Sequence, residues 1–172
     1  MLSERLVSSL NDQINYEFYS AHLYISIAAY FAALDLDGFA NFFKVQAEEE
    51  KFHAMKFFDY VNQTGGRIEL GGIQEPRRDF ESIIETFKVG YEHEKMVTKR
   101  IYNLMDIATE EREHATISLL KWFIDEQVEE ENNFNTIIKK LQRIENDSAA
   151  LFMMDTELAA RVFVPPVTTN GQ

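Results

Sequence analysis

Apolar side chains recur at alternating steps of three and four residues along four long stretches of the chain. This spacing places them on one face of an α-helix, which is typical of helices in a bundle. The four predicted helices span residues 3–33, 37–64, 80–108 and 110–145. Asp37 can cap the second helix, and residues 146–148 offer a cap for a short fifth helix over 149–163. We therefore expect an all-α protein of four long helices and one short helix.

The connection between the second and third helices is the one long break in this pattern, and it is rich in glycine. About 15 residues at about 3.3 Å each can run the length of a helix, so the chain can cross from one end of a bundle to the other. The predicted fold is a four-helix bundle with one long crossover loop and a short fifth C-terminal helix. Pro165 and Pro166 end that helix, so we expect one domain over residues 1–163 and a flexible C-terminal tail over 164–172.

Composition narrows the possible functions. The 172 residues include no cysteine, which argues against a disulfide scaffold and against iron–sulfur ligation. No stretch of about 18 uncharged apolar residues is present, and the N-terminus lacks the pattern of a secretory signal, so a cytoplasmic location is expected. The 29 acidic and 17 basic residues give a net charge of −12, which disfavours nucleic acid and membrane as partners and favours cations.

Polar residues interrupt the apolar face of every long helix. Burying an unpaired charge there is costly unless the group neutralises, pairs or binds a metal. Glu17 and Glu50 are 33 residues apart, and so are Glu94 and Gln127. The group at positions 49, 50 and 53 recurs 77 residues later at positions 126, 127 and 130. The two matched sets are Glu17, Glu49, Glu50 and His53 in the first half of the chain and Glu94, Glu126, Gln127 and Glu130 in the second. A single Glu-x-x-His pair is more often chance, but this matched set predicts a metal centre inside the bundle.

Charge favours two divalent cations at this centre. Glu17, Glu50, Glu94 and Glu130 carry four negative charges, which two such cations would balance while a neutral His53 donates one ring nitrogen. Oxygen ligands with one imidazole suit iron or manganese, and zinc can compete. So few protein ligands for two metal ions leave coordination positions open. Open positions on Fe(II) let O2 bind, so the chemistry we expect is oxidation of Fe(II) by O2.

Four motifs in combination resemble those of bacterial non-haem ferritins. They are Glu17 with Tyr24 seven residues later, the sequence EKFH from Glu50 to His53, YEHE ending at Glu94, and WFIDEQVEE from Trp122 to Glu130. The resemblance covers residues 1–162. It implies a ferroxidase that oxidises Fe(II) with O2 or H2O2 and stores hydrated ferric oxide in a hollow homo-oligomeric shell of 24 subunits.

The resemblance also implies roles for individual residues. Glu17, Glu50 and His53 would hold one iron, and Glu94 and Glu130 the second, with Glu50 bridging the two. Gln127 would lie beside the second iron, Tyr24 would help to supply electrons, and a third iron site would use Glu49, Glu126 and Glu129 with Glu130 shared. Haem is not expected, because Phe52 precedes His53 where haem-binding relatives have methionine.

Duller interpretations remain open at this point. Glu126 and Glu129 could simply form a solvated helix face, and Tyr24 could be a core residue with a satisfied hydroxyl. For the whole protein, the alternatives are a di-iron or di-manganese oxidase or peroxidase without storage, and a helical scaffold whose site binds zinc or nothing.

Overall fold

A computed structural model describes residues 2–165 of the chain. In chain order its helices are α1 (Glu4–Ala32), α2 (Asp37–Gln63), α3 (Ile83–Glu110), α4 (His114–Arg143) and α5 (Ser148–Ala159). Residues 2–165 contain no strand. Four long helices and a short fifth confirm the predicted fold class. The predicted tail lies outside the described residues from Pro166 onward.

Side-chain oxygens begin three of the five helices. Ser3 accepts a hydrogen bond from the backbone N–H of Leu6 at 3.0 Å, and Ser82 opens α3 in the same way. Asp147 caps α5, as the sequence predicts. The predicted cap of α2 is wrong: Leu36 occupies the cap position without a side-chain bond, and Asp37 is the first helical residue. In the first turn, the carboxylate of Asp37 still interacts favourably with the helix dipole.

The ends of α3 and α4 differ from the sequence-based bounds. Helix α3 begins at Ile83 rather than at residue 80 and continues to Glu110. Arg112 then adopts a left-handed backbone conformation, with φ of 55°, which interrupts helical geometry. Helix α4 therefore begins at His114 rather than at residue 110. Residues 109–114 are all polar, so apolar periodicity could not show where in this stretch the backbone turns.

The connection between α2 and α3 runs along α1, from the level of Asn11 to that of Ser26. Asn11 donates from Nδ2 to the carbonyl of Arg67 at 2.8 Å. Further along the same helix, Asn15 Oδ1 accepts from the backbone N–H of Gly71 at 2.7 Å, and Ser26 donates to the carbonyl of Arg77 at 2.8 Å. The predicted crossover is thus fastened to α1 by side-chain bonds to its backbone.

Two apolar clusters fill the bundle, and the polar positions lie between them in every long helix. One cluster is rich in phenylalanine and includes Phe31, Phe43, Phe87 and Phe134; the other includes Leu6, Leu10, Phe57, Ile101 and Phe123. Gly90 allows α3 to approach α4, because a Cβ atom there would lie 2.3 Å from the ring of Phe134. Among the described residues, no helix is long and apolar enough to cross a membrane.

Helix α5 is docked on the beginning of α2. A Cβ atom at Gly38 would lie 1.7 Å from the carbonyl oxygen of Asp155, so only glycine fits under α5 at this point. Asp155 Oδ1 accepts from the backbone N–H of Phe39 at 3.0 Å. Asn41 donates from Nδ2 to the carbonyl of Arg161 at 2.9 Å, and therefore also fastens the segment that follows α5.

Candidate metal centre

Three of the predicted ligands meet at the middle of the bundle. Helix α1 contributes Glu17, and α2 contributes Glu50 and His53, which share one face of the helix because they are three residues apart. One ligand atom from each lies within 4.8 Å of the others. All three side chains are buried. Such a cluster can hold a metal ion, and it arises within one chain.

Three of the four carboxylate oxygens in this cluster accept no hydrogen bond. Glu17 accepts at Oε1 from Gln13 Nε2 at 2.8 Å, but its Oε2 and both oxygens of Glu50 have no hydrogen-bond partner. A buried carboxylate oxygen left in this way is costly. A divalent cation would satisfy all three oxygens and would suit a mixed set of carboxylates and imidazole. The residues present therefore fit a metal ion.

The second group of predicted ligands belongs to α3 and α4, and it is held by hydrogen bonds. Tyr24 donates its hydroxyl to Glu94 Oε1, and Gln127 donates from Nε2 to Glu94 Oε2 at 3.1 Å. Glu130 Oε2 accepts from Gln46 Nε2 at 2.6 Å. Both carboxylates are buried. The pKa of Glu50 is raised first by burial and then by the charges of nearby carboxylates, among them Glu94 and Glu130.

Burial controls the protonation of the centre. It raises the pKa of Glu17, Glu50 and Glu130, and the charges of neighbouring carboxylates add to the effect at Glu50 and Glu130. Burial also raises the pKa of Glu94 to about 7 and lowers that of His53 to about 3. The imidazole is consequently neutral at physiological pH, which is the form that can bind a metal.

Aromatic rings surround His53 and separate it from solvent. Its ring centroid lies 5.5 Å from that of Trp122 and 5.8 Å from that of Phe123. Phe123 is itself stacked on Phe57 at 3.9 Å. Trp122 thus packs against a predicted ligand.

The residues predicted for a third iron site lie near each other but do not form a tight cluster among the described residues. Glu49 and Glu126 are half-buried, and Glu129 is exposed. Burial, followed by the charges of Glu129 and Glu49, raises the pKa of Glu126. Glu49 Oε2 accepts from Arg161 Nη2 at 2.6 Å. The three carboxylates therefore share one region, and their role as iron ligands stays a prediction.

Sequence reasoning missed several residues that contact this centre. His93 is buried, hydrogen-bonds through Nε2 to Ser20 Oγ at 2.7 Å, and lies edge-on to the ring of Tyr24 at 5.8 Å. Burial lowers the pKa of His93 to about 4. Gln13 and Gln46 also bond directly to predicted ligands. A signal was available, because each glutamine lies on the buried face, four residues before a glutamate.

Comparison with known families agrees with this geometry. The family model of the ferritin-like domain matches residues 7–144, which include every predicted ligand. The chain belongs to the ferritin family.

Relatives within the ferritin family match nearly the whole chain. The bacterial non-heme ferritins of Staphylococcus aureus (strain USA300) and Staphylococcus haemolyticus (strain JCSC1435) are each 49% identical over 163 residues, which is 95% of this chain and 98% of theirs. An open pore ferritin from Archaeoglobus fulgidus has a TM-score of 0.93 at 46% identity, covering 94% of this chain and 99% of that one. A humanized archaeal ferritin has a TM-score of 0.95 at 47% identity, with coverage of 96% and 100%.

Proposed function

We propose that this ferritin is an iron-storage protein with ferroxidase activity. It binds Fe(II) in the bundle, oxidises it to Fe(III) with O2 or H2O2, and deposits ferric oxyhydroxide inside a hollow shell. The observation that carries the proposal is the buried cluster of Glu17, Glu50 and His53 with its unpartnered carboxylate oxygens. Membership of the ferritin family and the likeness to bacterial non-heme ferritins support it.

Each predicted ligand has a role in this proposal. Glu17, Glu50 and His53 hold one ferrous ion, Glu94 and Glu130 hold a second, and Glu50 lies between them as the bridge. Four carboxylates balance two divalent cations, which removes the cost of burying the charges. Gln127 holds Glu94 in place through its hydrogen bond at 3.1 Å.

The reaction consumes the bound iron as substrate. Two Fe(II) ions give two electrons to one O2, which with two protons yields H2O2 and two Fe(III) ions. The carboxylates release protons when cations bind, so the site itself is a source of protons for O2. Tyr24 contacts Glu94 through its hydroxyl. When a third Fe(II) ion is also bound, three Fe(II) ions and Tyr24 are proposed to give one electron each, and O2 is then reduced to two water molecules with three further protons and the phenolic proton of Tyr24.

The remaining features belong to the same proposal. Glu49, Glu126 and Glu129, with Glu130 shared, form a third iron site. Twenty-four copies of the chain assemble into the shell, which functions in the cytoplasm without haem, nucleic acid or membrane. Both Staphylococcus relatives, described as bacterial non-heme ferritins, support a storage role.

A double substitution tests the ferroxidase assignment. Replacing Glu50 and His53 with alanine removes the proposed bridge and the sole imidazole, so the initial rate of Fe(II) oxidation in air should fall at least about a hundredfold. The matched control replaces Glu48 and Lys51, which have the same spacing on the exposed face of α2, and should leave the rate unchanged. An unchanged rate in the first variant would refute the assignment.

A further inference from the structure

Two arginines reach the metal centre through glutamines. Arg100 of α3 donates from Nε to Gln13 Oε1 at 2.9 Å, and Gln13 donates from Nε2 to Glu17 Oε1 at 2.8 Å. These two hydrogen bonds form a relay from arginine through glutamine to glutamate. The relay ends on Glu17, a predicted ligand of the first metal position. Gln13 and Glu17 are both buried.

The second relay has the same construction but begins beyond α5. Arg161 donates from Nη1 to Gln46 Oε1 at 2.8 Å, and Gln46 donates from Nε2 to Glu130 Oε2 at 2.6 Å. The same guanidinium donates from Nη2 to Glu49 Oε2 at 2.6 Å. Gln46 is fully buried, so water cannot replace the arginine as its partner.

Each arginine determines which way its glutamine points. A guanidinium has only donors, so the glutamine must face it with its carbonyl oxygen and present its NH2 group to the carboxylate. Without the arginine, the amide can turn over and place its oxygen against the carboxylate, which repels it. The arginine thus fixes the orientation of a carboxylate that it does not touch.

The segment carrying Arg161 is held in place independently of the relay. Asn41 of α2 donates to the backbone carbonyl of Arg161 at 2.9 Å, and the guanidinium lies 4.4 Å from the centre of the Phe42 ring. These contacts exist only while α5 is docked on α2. Arg100, by contrast, belongs to a long helix of the bundle.

We propose that Arg161 and Gln46 are positioning residues for the metal position at Glu94 and Glu130, and that Arg100 and Gln13 serve the position at Glu17, Glu50 and His53. Because Arg161 follows α5, docking of that helix is coupled to the affinity of one metal position and not of the other. The proposal deepens the proposed function and rests on it.

Titration with Co²⁺ separates the two positions. The assembled protein is titrated calorimetrically, and the visible absorption of the bound ion reports its ligand set. Variants His53→Ala, Glu94→Ala and Glu126→Ala identify which binding event belongs to the first, the second and the proposed third position. Neither readout requires turnover of iron.

The two relays should have separate effects. Arg161→Gln and Gln46→Met should weaken the event assigned by Glu94→Ala about ten- to a hundredfold and spare the other event, since removing partners of a metal ligand costs that much. Arg100→Gln and Gln13→Met should do the converse. The double variant Arg161→Gln/Gln46→Met should be no weaker than either single variant, because the two residues act as one unit.

A control removes another contact of α5. Lys140→Gln breaks the exposed pair between Lys140 and Glu157, 2.7 Å apart, and should change neither binding event. Gln46→Met leaves the Arg161 to Glu49 contact in place. If Arg161→Gln undocks α5, the effect of Gln46→Met on the binding events still tests the relay.

The outcomes distinguish this proposal from the function on which it rests. A wild-type protein whose Co²⁺ binding is insensitive to His53→Ala and Glu94→Ala would overturn the proposed function. Two normal wild-type events that Gln46→Met leaves unchanged, or weakens equally, would overturn the relay alone. Additive losses in the double variant would also overturn it.

Discussion

Buried glutamates determine the protonation of the candidate metal centre. Burial raises the pKa of Glu94 to about 7, even though Tyr24 and Gln127 stabilise its charged form through hydrogen bonds. The metal-free centre therefore carries protons near neutral pH, and a cation must displace them in order to bind. His53, whose pKa is about 3, is already neutral and releases no proton when its free ring nitrogen binds a cation.

Proton release on binding should depend on pH. With a pKa of about 7, Glu94 is mostly protonated at pH 6 and mostly ionised at pH 8, so binding of Zn²⁺ should release close to one proton more at pH 6. Affinity should accordingly rise between pH 6 and pH 8. Calorimetry in buffers of different ionisation enthalpy measures the number released. Equal release at both pH values would contradict this assignment, and Glu48→Gln serves as the exposed control.

The docking of α5 on the bundle depends on Gly38 at the start of α2. The backbone of Asp155 occupies the space that any side chain at Gly38 would need. Met154 and Leu158 bury their side chains on the bundle from the same helix. The pairing of α5 with α2 therefore depends on a close backbone approach as well as on apolar contacts.

Gly38→Ala should loosen α5 selectively. The new methyl group must displace the backbone of Asp155, and overpacking of this kind costs about 1–3 kcal/mol. Hydrogen exchange should become faster in α5, residues Ser148–Ala159, while α1 keeps its protection. Gly72→Ala is the matched control, because nothing lies within 4 Å of a Cβ atom there. Unchanged exchange in α5 would show that the helix is not held by this contact.

Periodicity predicted the helices well because each long helix buries a continuous face. It placed Glu17, Glu50 and His53 on those faces, and the structure brings these three together. It could not identify Arg161 as a neighbour of Glu49, because that contact joins residues 112 positions apart through the docking of α5. Periodicity shows which face a residue occupies, whereas the partner across a bundle depends on how the helices pack.

Helix α5 has a second apolar face that residues 2–165 leave uncovered. Phe152 and Met153 are 73% and 72% exposed, whereas their neighbour Met154 is buried. Within one chain, α5 packs on the bundle through Met154 and Leu158. Its uncovered face is suited to contact with other subunits.

Storage and oxidation should therefore separate when this face is made polar. Phe152→Ser/Met153→Ser retains Arg161 and the metal ligands, so each subunit should still bind and oxidise Fe(II). Without the apolar contacts between subunits, however, the assembled mass should fall, and with it the iron retained per particle. Mass and iron content are measured on the same sample, with Phe152→Leu/Met153→Leu as the apolar control.

A full-sized particle that retains wild-type amounts of iron would show that this face is dispensable for assembly. A wild-type protein that oxidises Fe(II) but never exceeds the mass of a dimer would instead favour an oxidase without storage, because a dimer encloses no volume for mineral.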